Sequence, residues 1–261
     1  RRDPGGHSLR YRGQGERGER ETGRSVRRLP PVPWRGRKRL AGFHPEADGK
    51  KMRILHTVQL YSPSVGGAQE VVRQISERLV RRGHSVTVAT TRLAERDKDK
   101  GRLNGVEIAE FAIDGNPLHG YRGETERYQE FLASGDFDVM MNYAAQQWAT
   151  DLAFPVLDRL QCRKVLAPCG FSALYDERYA DYFARLPDIM RRYDAVIMHS
   201  GTYRDAEFAR KHGVDFTVIP NGASEDEFGE PGPDFRLRHR IPEDVPLLLT
   251  VGGHTGWKGH D

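Results

Sequence analysis

From Met52 onward the chain alternates short apolar runs with amphipathic stretches. The runs lie at Ile54–Val58, Val86–Thr90, Val106–Phe111, Val139–Asn142, Val165–Ala167, Ala195–His199 and Phe216–Ile219. Near-continuous apolar runs of this length predict strands buried on both faces. With helical patterns between several of them, they predict a parallel sheet covered on both sides. The best-defined helix is Ala68–Arg82, where Ala68, Val71, Val72, Ile75 and Leu79 form one apolar stripe at helical spacing. Glu77 and Arg81 are spaced for an i,i+4 pair on the outer face. Arg78, Arg81 and Arg82 suit the negative end of the helix dipole, and Gly83 supplies a left-handed stop. The strand at Ser85–Thr90 follows at once. A βαβ unit therefore opens a Rossmann-like, doubly wound α/β sheet.

Residues 1–51 lack this texture. They hold 15 Lys and Arg against 6 acidic side chains, are rich in glycine and carry no apolar period. Such a segment buries too little apolar surface to offset chain entropy, which predicts a disordered basic extension, read as non-native and upstream of a true start at Met52. A basic arm for RNA or for acidic lipid is the alternative. RNA-binding arms interleave aromatics, and only Tyr11, Trp34 and Phe43 are available here. The remaining residues carry 26 basic and 31 acidic groups. The overall pI of 9.1 thus belongs to the extension, and the charge of the folded part gives no support to a nucleic-acid partner.

Mean hydropathy is −0.69, and no run approaches the ~20 apolar residues that cross a bilayer. No signal pattern opens the chain. Cys162 and Cys169 fit neither a redox nor a zinc spacing, so the expectation is two reduced thiols in a cytoplasmic protein, with peripheral contact at the inner membrane face left open.

Candidate chemistry gathers after the first strand. Gly66 and Gly67 stand between that strand and the Ala68–Arg82 helix, on the edge where open α/β sheets bind ligands. Unpaired N–H groups and the positive dipole end favour an anion there, and the missing side chains admit a phosphate or sugar. The bland reading is a turn. A dinucleotide fingerprint needs G-x-G-x-x-G, which is absent. Asp97-Lys98-Asp99 and Asp136-Phe137-Asp138 both read D-x-D. The first falls in a charged loop, and the second precedes a strand, as Asp194 does, so turn aspartates account for them. The ten histidines form no H-E-x-x-H cluster and no G-x-S-x-G elbow occurs, so no metal site and no hydrolase is expected.

The strand MRILHTV, the loop GGAQE and a helix ending RRGHSVTVAT resemble the opening of retaining, two-domain (GT-B) glycosyltransferases of the family-4 type. VIPNGASEDEF at 218–228 is similar to that family's interdomain segment, and LLLTVGGHTGWKGHD at 247–261 resembles the first strand and loop of its donor domain. The resemblance implies that Gly66, Gly67 and Lys258 contact the donor, and that Asn221 and Gly222 form an interdomain hinge. A departing nucleoside diphosphate gains charge that Lys258 would meet. Two departures stand out. Gly253 replaces a common Arg, with His254 as a substitute, and VLAPCGF at 165–171 puts Cys169 where the family has His. Cys169 and Gly170 are therefore sugar-proximal candidates, with a thiol as a poor stand-in for imidazole.

The implied layout is an acceptor-side domain at 52–222, a linker at 223–244 holding a basic helix at Phe235–Arg240, and the first strand (Pro246–Val251) and loop of a truncated donor domain at 245–261. The implied reaction moves a hexose from a nucleoside diphosphate sugar to an unidentified saccharide or lipid-linked hydroxyl with retention. No catalytic residue can be named, no cofactor or metal is expected, and the chain alone is expected to be inactive. A single-domain sugar-phosphate-binding protein and an Arg-rich RNA-associated protein stay open as alternatives.

Overall fold

The computed structural model describes residues 50–96, 101–224, 227, 232 and 234–252. β1 (Arg53–Thr57) leads into α1 (Gly67–Arg81) and β2 (Ser85–Thr91), followed by β3 (Arg102–Leu103) and β4 (Val106–Phe111). A hairpin, β5 (Ile113–Asn116) and β6 (Gly120–Gly123), precedes α2 (Thr125–Ser134), β7 (Val139–Tyr143) and α3 (Trp148–Asp151). The rest comprises β8 (Arg163–Ala167), α4 (Ala180–Arg191), β9 (Ala195–Met198), α5 (Arg204–Lys211), β10 (Thr217–Val218) and α6 (Phe235–His239).

The main sheet runs β10-β9-β8-β7-β1-β2-β4-β3, parallel throughout except for the β3–β4 edge pair. From β1 the chain winds outward through β2 and β4, then crosses back to β7 and winds the other way. This is the Rossmann-like doubly wound arrangement, with its switch point between β1 and β7.

The alternation of side chains splits the core in two. Leu55, Met140, Leu166 and Val196 face the side where Phe111, Tyr128, Trp148, Phe183 and Phe208 pack. Ile54, Val88, Met141 and Ala167 face α1. A polar bridge crosses the first layer. Asn142 donates to Thr57 Oγ1 at 2.6 Å and accepts from the Tyr193 hydroxyl at 2.8 Å, so all its burial is compensated.

Helix α1 stops as its sequence dictates. Gly83 has φ +89, its N–H donates to Val80 O at 2.9 Å, and His84 N–H donates to Leu79 O at 3.1 Å, a Schellman pair. The outer-face pairing differs from expectation: Glu77 bonds Arg73 at 3.1 Å and Asn104 at 2.8 Å rather than Arg81. Glu77 is turned toward the β3–β4 turn, where Asn104 waits.

Asp138 and Asp194 are strand-entry residues. Asp138 accepts from Arg53 N at 2.7 Å and Asp194 from Lys164 N at 2.8 Å, each pinning the neighbouring parallel strand. Asp136 pairs with Arg53 at the same amino edge, far from the glycine loop. Asp97, Lys98 and Asp99 lie outside the described residues.

The β5–β6 hairpin was not legible in the apolar pattern. A Cβ on Gly115 (φ +111) would sit 2.1 Å from Gly120 O, so only glycine permits this pairing. The 235–240 helix forms, capped by Asp234, which accepts from Arg236 N at 2.8 Å and Leu237 N at 3.2 Å. The strand expected at 246–251 does not form: residues 246–251 are unpaired and Leu248 is 94% exposed. A strand without ladder partners has nothing to hold it extended.

Candidate functional site

The carboxyl ends of β1, β7, β8 and β9 meet at one edge of the sheet, and each continues into a loop built for close approach. After β1, Gly66 is extended (φ 178), a backbone any residue adopts, and it precedes α1 with no side-chain cap. A Cβ on Gly67 would meet nothing within 4 Å. Neither glycine is therefore required by a left-handed backbone, and at Gly67 no packing contact requires it either. Gly67 leaves open space beside uncapped N–H groups at the positive end of α1, whereas a Cβ on Gly66 would meet the Gln69 side chain at 2.6 Å. Glu70 in that first turn is occupied by Arg73 at 2.7 Å and Gln74 at 2.6 Å, and the Arg73 hydrogen bond holds its carboxyl below the usual range.

After β7 the backbone is strained. Ala144 (φ 66) and Gln146 (φ 62) are left-handed, as is Cys169 (φ 61) after β8. Each costs about 1–3 kcal/mol, and such residues concentrate at functional sites. The strain is held by Ala144 N–H to Ala167 O at 2.8 Å, Ala145 N–H to Pro168 O at 3.1 Å, and the buried carboxyl of Asp151. Asp151 accepts from Tyr121 at 2.6 Å, from Tyr182 at 2.9 Å and from Gln146 N–H at 3.2 Å. Burial outweighs these three donors and pushes its pKa up to about 6. No sequence signal marks Asp151, because its partners come from a hairpin, a loop and a helix far apart in the chain.

After β8, Cys169 is exposed and Gly170 (φ +77) donates its N–H to Asp205 at 2.9 Å. The Cys169 thiol lies 3.9 Å from the Tyr143 hydroxyl, which meets His199 Nε2 at 3.0 Å. His199 Nδ1 is 3.0 Å from Ile219 O, an acceptor, so the proton sits on Nδ1 and Tyr143 donates to Nε2. Desolvation raises the pKa of the Cys169 thiol, which stays protonated and a weak donor.

His199 and Tyr143 also line a groove of about 460 Å³ on the α1 side of the sheet, closed by Asn221 and Gly222. The hinge candidates therefore lie against β7–β9, while Gly66 and Gly67 lie across the edge at α1. The structure brings Cys169 and Gly170 to the same edge as the glycine pair. Lys258, Gly253 and His254 lie outside the described residues. Among the described residues no cluster of three metal-ligating side chains occurs.

A parallel sheet wound in two directions from β1, with its loops converging at the carboxyl edge, is the Rossmann-like half of a GT-B glycosyltransferase fold. Residues 65–227 match Glycosyltransferase Family 4, more than half of the chain, and the chain belongs to that family. A glycosyltransferase from Rickettsia africae has a similar crystal structure, with TM-score 0.56 at 17% identity, covering 80% of this chain and 55% of that one. Anabaena HepE, solved with UDP and glucose, gives 0.50 at 16% identity, covering 73% and 50%. At such identities the likeness establishes the fold. The chain spans about half the length of these solved structures. No curated protein matches the sequence. Among the described residues no helix is long and apolar enough to cross a membrane.

Proposed function

We propose that this chain supplies the acceptor-side half of an enzyme that moves a hexose from a nucleoside diphosphate sugar to a hydroxyl acceptor with retention. The observation that carries the reading is the Gly66–Gly67 pair: at Gly67 neither backbone conformation nor packing calls for glycine, and the pair faces the switch-point edge at a helix N-terminus. A diphosphate or the sugar it carries fits that open space. Family membership supports a transferase, and the strained loops after β7 and β8 support a site at the same edge. In this reading residues 223–244 link to a donor domain to which 245–261 belong, Lys258 meets the diphosphate from the opposite wall, and Asn221–Gly222 are the hinge. No metal or resident cofactor takes part.

Calorimetric titration with UDP-, ADP- and GDP-sugars tests the reading. With this half joined to a donor domain, a nucleotide sugar should bind, and Gly67→Asp should weaken it several-fold by placing a carboxylate against the anion. Binding of sugar 1-phosphates in preference to every nucleotide sugar would favour a sugar-phosphate-binding protein instead. Nucleotide-sugar affinity unchanged by Gly67→Asp would confine the glycines to turn geometry.

A further inference from the structure

Three of the large apolar side chains that the sheet domain leaves exposed gather at one edge, whereas Ile75 lies on α1 and Ile219 follows β10. Val65 (96% exposed) is on the β1 loop, Tyr175 (76%) on the β8 loop and Tyr203 (50%) on the β9 loop, all at the carboxyl edge. Concentration of this kind marks a binding face. Arg204 lies between the two tyrosines, its guanidinium carbon 5.5 Å from the Tyr175 ring centre and 5.4 Å from that of Tyr203. Its Nη1 donates to Ser172 O at 3.3 Å, and among the described residues no carboxylate pairs with it. The arrangement is anchored from below. The Tyr203 ring lies over Gly170, where a Cβ would come within 2.6 Å of it, and Gly170 is fixed by buried Asp205.

We infer that Tyr175, Tyr203 and Arg204 form an acceptor subsite for an acidic saccharide. Aromatic faces carry negative potential that attracts the positive C–H face of a pyranose. A stacked guanidinium with free N–H groups suits one carboxylate or phosphate on that sugar. An anionic membrane surface fits less well: it would call for a cluster of basic side chains, whereas the charge of nearby Arg178 is paired with Asp176. The inference rests on the glycosyltransferase reading above.

Titration of the protein with tetragalacturonate and with neutral maltotetraose tests it, alongside Arg204→Gln, Tyr175→Ala and vesicles containing phosphatidylglycerol. The acidic oligosaccharide should bind about tenfold more tightly than the neutral one, the difference a charge-assisted hydrogen bond supplies. Arg204→Gln should erase that preference, and exposed Tyr175→Ala should weaken both sugars with an unchanged melting temperature. Equal affinity for the two sugars, affinity untouched by either substitution, binding to vesicles instead, or no binding would each overturn the subsite. Nucleotide-sugar binding, read in parallel, depends on Gly67 and not on Arg204. Loss of saccharide binding alone would overturn the subsite and leave the transferase reading standing.

Discussion

The Tyr121 hydroxyl donates to Oδ2 of Asp151 at 2.6 Å, tying the β5–β6 hairpin to the last residue of α3. Tyr182 of α4 reaches the other oxygen at 2.9 Å, so one carboxyl joins two elements that flank the strained loop after β7.

This carboxyl has a consequence for stability. Asp151 releases its proton near pH 6 when folded, against ~3.9 in an unfolded chain. Between those values only the folded chain keeps the proton, so this group's contribution falls as pH rises from about 4 to about 6. Buried His56 has the opposite sign. Desolvation lowers its pKa to about 4 from an unfolded ~6.5, so its contribution grows as pH rises across that interval. Relative to the parent, Asp151→Asn should therefore gain stability as pH rises from 4 to 6, by up to about 1.4 kcal/mol per pH unit. His56→Gln should change with the reverse slope. Urea denaturation at each pH reads both differences. A parallel Asp151→Asn curve would show that the carboxyl is not held protonated.

Gly67→Asp separates folding from binding. The added side chain meets open space, and an acidic residue in the first turn suits the dipole of α1 by about 0.3–1 kcal/mol. Melting temperature should hold or rise slightly while nucleotide-sugar affinity falls. A large loss of melting temperature would mean that the glycine is structural.

Gly170→Ala should cost about 1–2 kcal/mol, since φ +77 is unfavourable for alanine and its methyl would displace the Tyr203 ring. Thermal unfolding should drop by several degrees. An unchanged melting temperature would show that this loop relaxes freely.

Asn142 predicts a non-additive pair. Asn142→Leu strands the buried Tyr193 hydroxyl, and Tyr193→Phe strands Oδ1 of Asn142, each costing about 1–3 kcal/mol. The double variant should cost less than the two singles combined, because both polar partners are then gone. Full additivity in urea melts would mean the 2.8 Å bond carries no coupling.

The parallel sheet, α1 with its Gly83 stop, and the strand-entry aspartates Asp138 and Asp194 were legible in the sequence. Each is a local matter of apolar period, end chemistry or turn propensity within a few residues. The position of Gly66 and Gly67 at the carboxyl edge of the sheet followed from the same local order of strand, loop and helix. Only the tertiary structure decided that Asp151 is a buried hub, that Glu77 pairs with Arg73 rather than Arg81, and that Tyr143 donates to His199. It also decided that Arg204 stacks between Tyr175 and Tyr203, and that residues 246–251 pair with no strand among the described residues. These depend on which elements the winding brings side by side: Glu77 had two partners at i,i+4 spacing within α1, and Asn104 of the β3–β4 turn sits on the side of Arg73. Local pattern fixes elements, whereas desolvation and pairing are set by neighbours remote in the chain.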